Sequence, residues 1–227
     1  MVGRPIQVDV DSYRRRYMTL PRMITHWHQA NAVCEWTRLG GSVLEIGPGS
    51  GHTTWLLRHW GMNVTTLDFD ESIRPDIVGD VTRIPCASNS FDCVIAAEVL
   101  EHIPFSEFGK ALSELKRICS GHVIITLPAP FAGVSALLNF SGLDEKGLFF
   151  GLPYWIAHKF DGQHYWELGK RGYSAWRIRR FVRRQGFRIV REFRPAPSLY
   201  CYFFVLASSA PLESPDRQTT DTTQERF

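Results

Sequence analysis

The sequence predicts an α/β domain built on a mostly parallel sheet. Short apolar runs alternate with segments of helical periodicity over residues 42–127, which is the pattern of strand–helix–strand units. The run FDCVIAA, residues 91–97, is apolar nearly throughout, as expected for a central strand that is covered on both faces. A chain of 227 residues with 44% hydrophobic residues can form one full-sized core. We therefore expect a single domain over residues 1–208.

The elements follow one another at short intervals. A leading helix is predicted over residues 22–39, because apolar residues recur there at spacings of three and four before Gly40-Gly41 ends the run. Only a turn fits between the second and third strands, over residues 69–75. The remaining predicted elements are strands over 42–46, 63–67, 76–79, 91–97, 122–127, 187–193 and 200–207, and helices over 52–60, 105–119 and 174–185.

Composition excludes several classes of protein. The formal net charge of +3 is small for a nucleic-acid-binding domain. The five cysteines form no CxxC pair and no His/Cys cluster at zinc spacing, so we expect reduced thiols, no bound metal and a cytoplasmic protein. No apolar run reaches the ~20 residues of a membrane span, and the N-terminus lacks the apolar core of a signal peptide. The chain is expected to be a monomer or a homodimer.

Residues 128–172 interrupt this rhythm, since they show no clean period and are rich in Gly, Phe, Trp and Tyr. We expect an inserted lid, with the apolar residues 131–155 lining an acceptor pocket, covering a sheet edge or forming a dimer contact. A peripheral membrane contact is a further alternative. Residues 1–40 are expected to form a helical cap, in which Tyr13, Tyr17 and the basic residues 14–16 close over a ligand or form a solvated arm. Residues 209–227 are polar and are expected to be a disordered tail.

One segment carries most of the functional prediction, namely VLEIGPGSGHTTWLL at residues 43–57. A strand passes through a glycine-rich turn into a helix, whose N-terminus presents free N–H groups to an anionic group. Enzymes that bind dinucleotides use a related GxGxxG turn. Here the spacing is GxGxG and position 52 is His, so the third glycine of that fingerprint is missing. Glu45, at the strand end, suits a cationic ligand better than a pyrophosphate.

On these residues the sequence resembles the class I S-adenosylmethionine-dependent methyltransferases, and more narrowly their type 11 group, over about residues 40–130. The resemblance implies a Rossmann-like sheet of seven strands, mostly parallel with the last strand antiparallel, helices on both faces, and S-adenosyl-L-methionine as cofactor. It implies that Asp68 binds the ribose hydroxyls, that Asp80 and Val81 lie at the adenine, and that Glu98 lies near the methionine part. The cofactor-binding residues that it implies are Glu45, Gly47, Pro48, Gly49, Gly51, Asp68, Phe69, Asp80, Val81 and Glu98.

The segment HKFDGQHYWELG, residues 158–169, is the densest cluster of potential catalytic groups. It resembles a DGxHYWE segment in methyltransferases associated with bacterial surface-sugar and secondary-metabolite clusters. We predict His164 as the general base or as a hydrogen-bonding partner of the acceptor, oriented by Asp161 or Glu167, with His102 as a second candidate base. Either histidine could instead be structural. The residues predicted to contact the acceptor are His158, Asp161, Tyr165 and Trp166.

The predicted function is transfer of a methyl group to an oxygen or nitrogen of a small molecule, either sugar-bearing or a secondary metabolite. Two alternatives stay open. The basic run over residues 177–194 could bind phosphates in an RNA or protein methyltransferase, although its apolar residues recur at the spacing of a solvated outer helix. A non-catalytic protein that binds the cofactor is the second alternative.

Overall fold

A computed structural model describes residues 19–138, 146–153, 156–195 and 200–207. Nine strands form a seven-stranded sheet and a separate two-stranded sheet. In chain order the strands are β1 Ser42–Ile46, β2 Asn63–Asp68, β3 Ile77–Val78, β4 Phe91–Ala97, β5 Cys119–Pro128, β6 Phe131–Leu138, β7 Lys146–Pro153, β8 Arg188–Phe193 and β9 Cys201–Ala207.

The seven-stranded sheet has the order β3-β2-β1-β4-β5-β9-β8. Its first five strands are parallel, and β9 is antiparallel to both of its neighbours. Ile46 at the end of β1 is opposite Leu67 of β2 and Ala96 of β4. The carboxyl ends of these strands therefore meet at one edge, where α/β proteins bind their ligands. The predicted sheet is confirmed.

Within the described residues, four helices accompany the sheet. They are α1 Leu20–Trp36, α2 His52–His59, α3 Phe108–Ile118 and α4 Ala175–Arg184. The leading helix ends three residues before the predicted position, because Thr37 already has an extended backbone. A short 3-10 helix, Glu71–Ile73, replaces the helix that would otherwise connect β2 and β3, as the short connection predicted. A second 3-10 helix, Leu100–His102, follows β4.

The two faces of the sheet bury separate apolar clusters. On one face, Leu112 and Leu115 of α3 and Val182 of α4 pack against the strands. On the other face, Val33 of α1 and Leu57 of α2 do so. The helix periodicity therefore corresponds to real buried stripes, and the hydrophobic effect stabilises the sheet from both sides.

Residues 128–172 contain regular structure that we did not predict. Strands β6 and β7 pair antiparallel from Phe131↔Pro153 to Leu138↔Lys146. The expectation of an irregular segment is therefore wrong for this part. The leading arm with Tyr13 and Tyr17, and the tail over residues 209–227, lie outside the described residues, as does Trp155. Within the described part of the chain, no helix is both long and apolar enough to cross a membrane.

Trp166 anchors the segment that follows this hairpin. Its side chain is fully buried and packs edge-on against Phe105 and Phe108, and its Nε1 donates to the carbonyl of Ile103 at 3.2 Å. The neighbouring Leu168 N–H donates to the carbonyl of Pro128. The expectation that Trp166 contacts an acceptor is thus corrected. The indole belongs to the core, because its apolar surface is buried and its N–H has a hydrogen-bond acceptor within the protein.

We expect Trp166→Ala to lower the free energy of unfolding by about 3–5 kcal/mol, because it leaves a large cavity in the core. The matched control is Trp176→Ala on α4, whose ring is 64% exposed and contacts only the Arg180 guanidinium among the described aromatic and cationic contacts. That substitution should cost about 1 kcal/mol or less. Urea denaturation of both variants measures the difference, and equal losses would contradict the core assignment.

Candidate functional site

The glycine-rich turn after β1 has the conformation that its glycines predict. Gly47, Gly49 and Gly51 have φ values of 68°, 48° and 74°, in the region that side chains disfavour. At Gly47 a Cβ atom would also lie 2.5 Å from Val99 Cγ2. Close approach of the turn to the end of β4 therefore requires glycine there. Gly51 caps the N-terminus of α2, whose free N–H groups face the turn.

A cavity of about 310 Å³ opens beside this turn. Its first wall consists of the turn and of residues from β1, α1 and α2. The lining residues on this wall are Arg22, His26, Gln29, Glu45, Gly47, Pro48, Gly49, Ser50 and Thr53.

The second wall brings together the end of β4, the loop before α4 and Tyr200, which precedes β9. Its lining residues are Ala97, Glu98, His102, Asp161, Gln163, His164, Glu167 and Tyr200. Both histidines predicted to act as bases therefore line the same cavity as the glycine turn.

Glu45 is buried at the base of the turn. Its Oε2 accepts a hydrogen bond of 2.5 Å from Thr54 Oγ1, and it is 3% exposed. Burial raises the pKa of Glu45 to about 7, although the Thr54 hydrogen bond opposes that shift. A carboxyl group with a pKa of about 7 beside a cavity favours a cationic ligand, because a positive charge would stabilise its ionised form.

His26 lines the cavity with a neutral, hydrogen-bonded ring. Its Nδ1 lies 2.9 Å from Thr53 Oγ1, and the Thr53 hydroxyl donates to Gln29 Oε1 at 2.9 Å. Because the hydroxyl proton is used in that bond, Nδ1 must carry the proton and Nε2 is the acceptor. Nε2 is buried with no hydrogen-bond partner among the described residues. Burial and the nearby His52 lower the pKa of His26 to about 4, so the ring is neutral.

Glu98 occupies a strained position at the end of β4. Its φ of 55° is unusual for a residue with a side chain, and such strain is typical of functional sites. Oε1 accepts from the Cys201 thiol at 2.5 Å, and Oε2 lies 3.6 Å from Arg22 Nη1. Burial raises the pKa of the Cys201 thiol, which keeps it protonated as a donor. The carboxylate of Glu98 is thereby held at the cavity wall.

A histidine–carboxylate pair lies on the same wall. His164 Nδ1 is 2.8 Å from Glu167 Oε1, and Glu167 Oε2 is 3.8 Å from Lys170 Nζ. Asp161 Oδ1 accepts from the backbone N–H groups of Gln163 and His164, which fixes the loop. Glu167 therefore orients the His164 ring, while Asp161 orients its backbone.

The other residues predicted to contact the acceptor lie behind this wall. His158 Nε2 donates to the carbonyl of His164 at 2.8 Å, and this hydrogen bond stabilises the loop that carries His164. Tyr165 packs against Phe160 with ring centroids 4.6 Å apart. Neither side chain lines the cavity.

Glu101 is a buried carboxyl group next to His102. It is fully buried, and neither of its side-chain oxygens has a hydrogen-bond partner among the described residues. Burial raises the pKa of Glu101 well above its ordinary value, and the nearby carboxylates of Glu98 and Glu167 raise it further. Burial, together with the neighbouring His164, lowers the pKa of His102 to about 4.

The predicted ribose and adenine residues lie outside the cavity just described. Asp68 ends β2 beside the glycine turn, whose Gly47 N–H donates to Leu67, and burial raises the pKa of Asp68. Asp80 Oδ1 accepts from the N–H and hydroxyl of Thr82. Phe69 is 40% exposed, whereas the side chain of Val81 is in the core.

Eight residues that line the cavity were not predicted from the sequence: Arg22, His26, Gln29, Ser50, Thr53, Ala97, Gln163 and Tyr200. The helical periodicity placed α1 correctly but could not show which of its polar residues turn towards β1. Tyr200 follows an unrelated stretch of chain, and no local signal connects it with the glycine turn.

Known methyltransferases are similar in sequence to the part of the chain that contains the glycine turn. The family model described as a methyltransferase domain of type 11 matches residues 44–125. A demethylmenaquinone methyltransferase from Beutenbergia cavernae is 30% identical over 128 residues, 50% of this chain and 52% of that protein. Another from Renibacterium salmoninarum is 35% identical over 89 residues, 35% of this chain and 37% of that protein. The chain thus spans about half or less of the length of these curated relatives.

Solved structures share the fold at low identity. The 1,6-didemethyltoxoflavin-N1-methyltransferase of Burkholderia thailandensis, solved with its substrate and S-adenosylhomocysteine, superposes with a TM-score of 0.58 and 16% identity, covering 87% of this chain and 84% of that one. The magnesium protoporphyrin IX methyltransferase of Synechocystis PCC 6803 superposes with a TM-score of 0.59 and 16% identity, covering 88% and 94%.

The glycine turn and strands β2 to β4 lie within the residues that match the methyltransferase-domain family model. The seven-stranded sheet is the fold that the chain shares with the solved methyltransferase structures.

Proposed function

We propose that the protein binds S-adenosyl-L-methionine at the glycine turn and transfers its methyl group to an oxygen or nitrogen of a small molecule. The observation that carries this proposal is the cavity itself. The first wall contains the glycine turn and the buried Glu45, whose pKa is about 7. The second wall contains His164, which Glu167 orients. Such an arrangement would bring an acceptor nucleophile close to the electrophilic methyl group.

The amino-acid part of the cofactor would occupy the first wall. Its carboxylate would meet the N-terminus of α2 and the Arg22 guanidinium. Its ammonium group would donate to the carboxylates of Glu45 and Glu98. Arg22, Glu45 and Glu98 provide the opposite charges that an amino acid requires, and all three line the cavity.

The adenosine part would extend past the end of β2. Asp68 would accept hydrogen bonds from the ribose hydroxyls, and Phe69, Asp80 and Val81 would flank the adenine. Because Asp80 already caps the turn at Thr82, adenine recognition would rely on the remaining lone pairs of that carboxylate and on the backbone around Val81.

The acceptor would lie against the second wall. There His164 would take a proton from a hydroxyl or an ammonium group of the acceptor, while Glu167 stabilises the imidazolium that forms. We infer that residues 128–172, with the hairpin β6–β7, form the insertion that surrounds this acceptor. Small-molecule acceptors are supported by the names of the relatives and of the solved structures.

An RNA acceptor receives less support, because two of the arginines in the basic run already form ion pairs. Arg179 pairs with Glu192, and Arg191 pairs with Glu35. The nitrogen–oxygen distances are 2.8 and 2.7 Å. In each pair the glutamate neutralises a positive charge that a phosphate group would otherwise bind.

We expect S-adenosylhomocysteine to bind and to raise the melting temperature, and NAD to have no effect. Asp68→Ala should weaken that binding by more than about 1 kcal/mol, because the ribose hydroxyls lose an ionised acceptor. Glu71→Gln, an exposed acid on the adjacent 3-10 helix, is the control and should bind normally. Calorimetry measures both affinities, and an unchanged affinity for Asp68→Ala would remove its ribose role.

Glu45→Gln should have opposite effects on stability and on cofactor binding. The folded pKa of about 7 lies above the ordinary value, so wild-type stability falls as pH rises from about 5 to 8, while the amide does not titrate. The variant should gain about 1–3 kcal/mol over wild type at pH 8 and little at pH 5. Because the positively charged cofactor would lose the Glu45 carboxylate as a partner, the affinity of the variant for S-adenosylmethionine should fall.

Thermal melts of wild type, Glu45→Gln and Glu71→Gln over this pH range measure the first effect, and calorimetry at pH 8 measures the second. A constant difference in melting temperature at all pH values would show that Glu45 titrates normally.

His164→Gln and Glu167→Gln should reduce kcat by about 10²–10⁴-fold with an acceptor that needs deprotonation. Their affinity for S-adenosylhomocysteine should not change, because both residues lie on the acceptor wall. The measurement is release of S-adenosylhomocysteine with a panel of hydroxyl and amine acceptors, and exposed His59→Gln on α2 is the control. Full activity of His164→Gln with every acceptor of the panel would exclude it as the base.

A further inference from the structure

Two segments that are distant in sequence bring three metal-binding side chains together. Glu101 and His102 are consecutive in the 3-10 helix after β4, and His164 lies in the loop before α4. One ligand atom from each of these residues lies within 4.8 Å of the other two. The rings of His102 and His164 are nearly perpendicular, with centroids 4.9 Å apart. Two imidazole nitrogens and a carboxylate oxygen are therefore close enough together to bind one metal ion.

The carboxylate of Glu101 needs an explanation in its own right. Both of its oxygens are buried with no hydrogen-bond partner in the described part of the chain, and an uncompensated buried carboxylate is strongly unfavourable. The carboxylates of Glu98 and Glu167 are close enough to repel it. A cation beside Glu101 would satisfy its oxygens and offset this excess of negative charge.

We propose that Glu101, His102 and His164 bind a divalent transition metal ion, with Zn²⁺ as the preferred ion. Two imidazole nitrogens and one carboxylate oxygen form a ligand set that zinc accepts in sites with an open coordination position. Imidazole ligands also suit other first-row metals, whereas Mg²⁺ and Ca²⁺ favour oxygen ligands throughout.

The residues around the cluster support this geometry. His164 Nδ1 lies 2.8 Å from Glu167 Oε1, which leaves Nε2 for a metal, and a carboxylate behind a ligating histidine is the usual supporting contact. The backbone N–H of Tyr165 donates to the carbonyl of Glu101 at 2.8 Å. That hydrogen bond connects the two segments that carry the ligands, so the three side chains are held together without an ion.

The site faces the cavity, because His102 and His164 both line it. An ion held there would make a bound acceptor hydroxyl more acidic. His164 would then be a ligand and would not act as the base proposed above. Binding of the ion does not depend on methyl transfer, and S-adenosylhomocysteine binding tests the proposed function separately.

The test uses the full chain after chelator treatment and dialysis. Equilibrium dialysis against ZnCl₂ should show one tightly bound ion per chain, and Zn²⁺ should raise the melting temperature. Mg²⁺ at the same concentration should leave the melting temperature unchanged. Absence of both zinc effects would overturn the proposal.

Variants locate the site. Glu101→Gln, His102→Gln and His164→Gln should each lose the bound ion and the zinc-induced increase in melting temperature, and Glu167→Gln should weaken binding by about 10–100-fold. His59→Gln, exposed on α2, should bind like wild type. Without zinc, Glu101→Gln should melt in one cooperative transition like wild type, because the amide matches the shape of the carboxyl group and carries no charge; a loss of binding is then not a loss of fold. Retention of the ion by the three ligand variants would refute this site.

Discussion

The close approach of Gly47 to Val99 determines how the ends of β1 and β4 come together. The turn after β1 passes so near the end of β4 that a side chain at position 47 would overlap Val99. Glu45 in β1 and Glu98 directly after β4 consequently line the same cavity. The cluster of acids at this edge is thus a consequence of backbone packing, and its members share one electrostatic environment. A ligand with a positive charge fits that environment without any further rearrangement of the chain.

The second wall depends on a different force. The loop over residues 158–169 carries the polar groups of the acceptor side, yet its position is set by the buried indole of Trp166 and by backbone hydrogen bonds on either side of it. Burial of Trp166 thus fixes the polar residues of this loop in position next to His102. Rigid support of this kind is what a reacting group needs, because small displacements change the alignment of donor and acceptor.

Most of the fold was predictable because its signals are local. The alternation of strands and helices, the glycine turn and the short connection after β2 each follow from a few neighbouring residues. The cavity was only partly predictable, since Arg22 and Tyr200 reach it through tertiary packing that has no sequence period. Trp166 was assigned to the acceptor because it lies within a polar cluster, whereas its large apolar area decides its position. The hairpin β6–β7 was missed because frequent glycines and aromatic residues over 131–153 obscure the alternation of a strand.

The two outer strands of the large sheet also determine how the protein behaves at high concentration. Strand β3 has only two residues, so it offers few unpaired backbone groups to another chain. Strand β8 is longer, but its register shifts between Ile189 and Arg191, and it carries charged residues along its length. Short edges, irregular pairing and charge all oppose strand addition between molecules. Both edge strands of this sheet are therefore poor templates for intermolecular β-aggregation, although its central strands are strongly apolar.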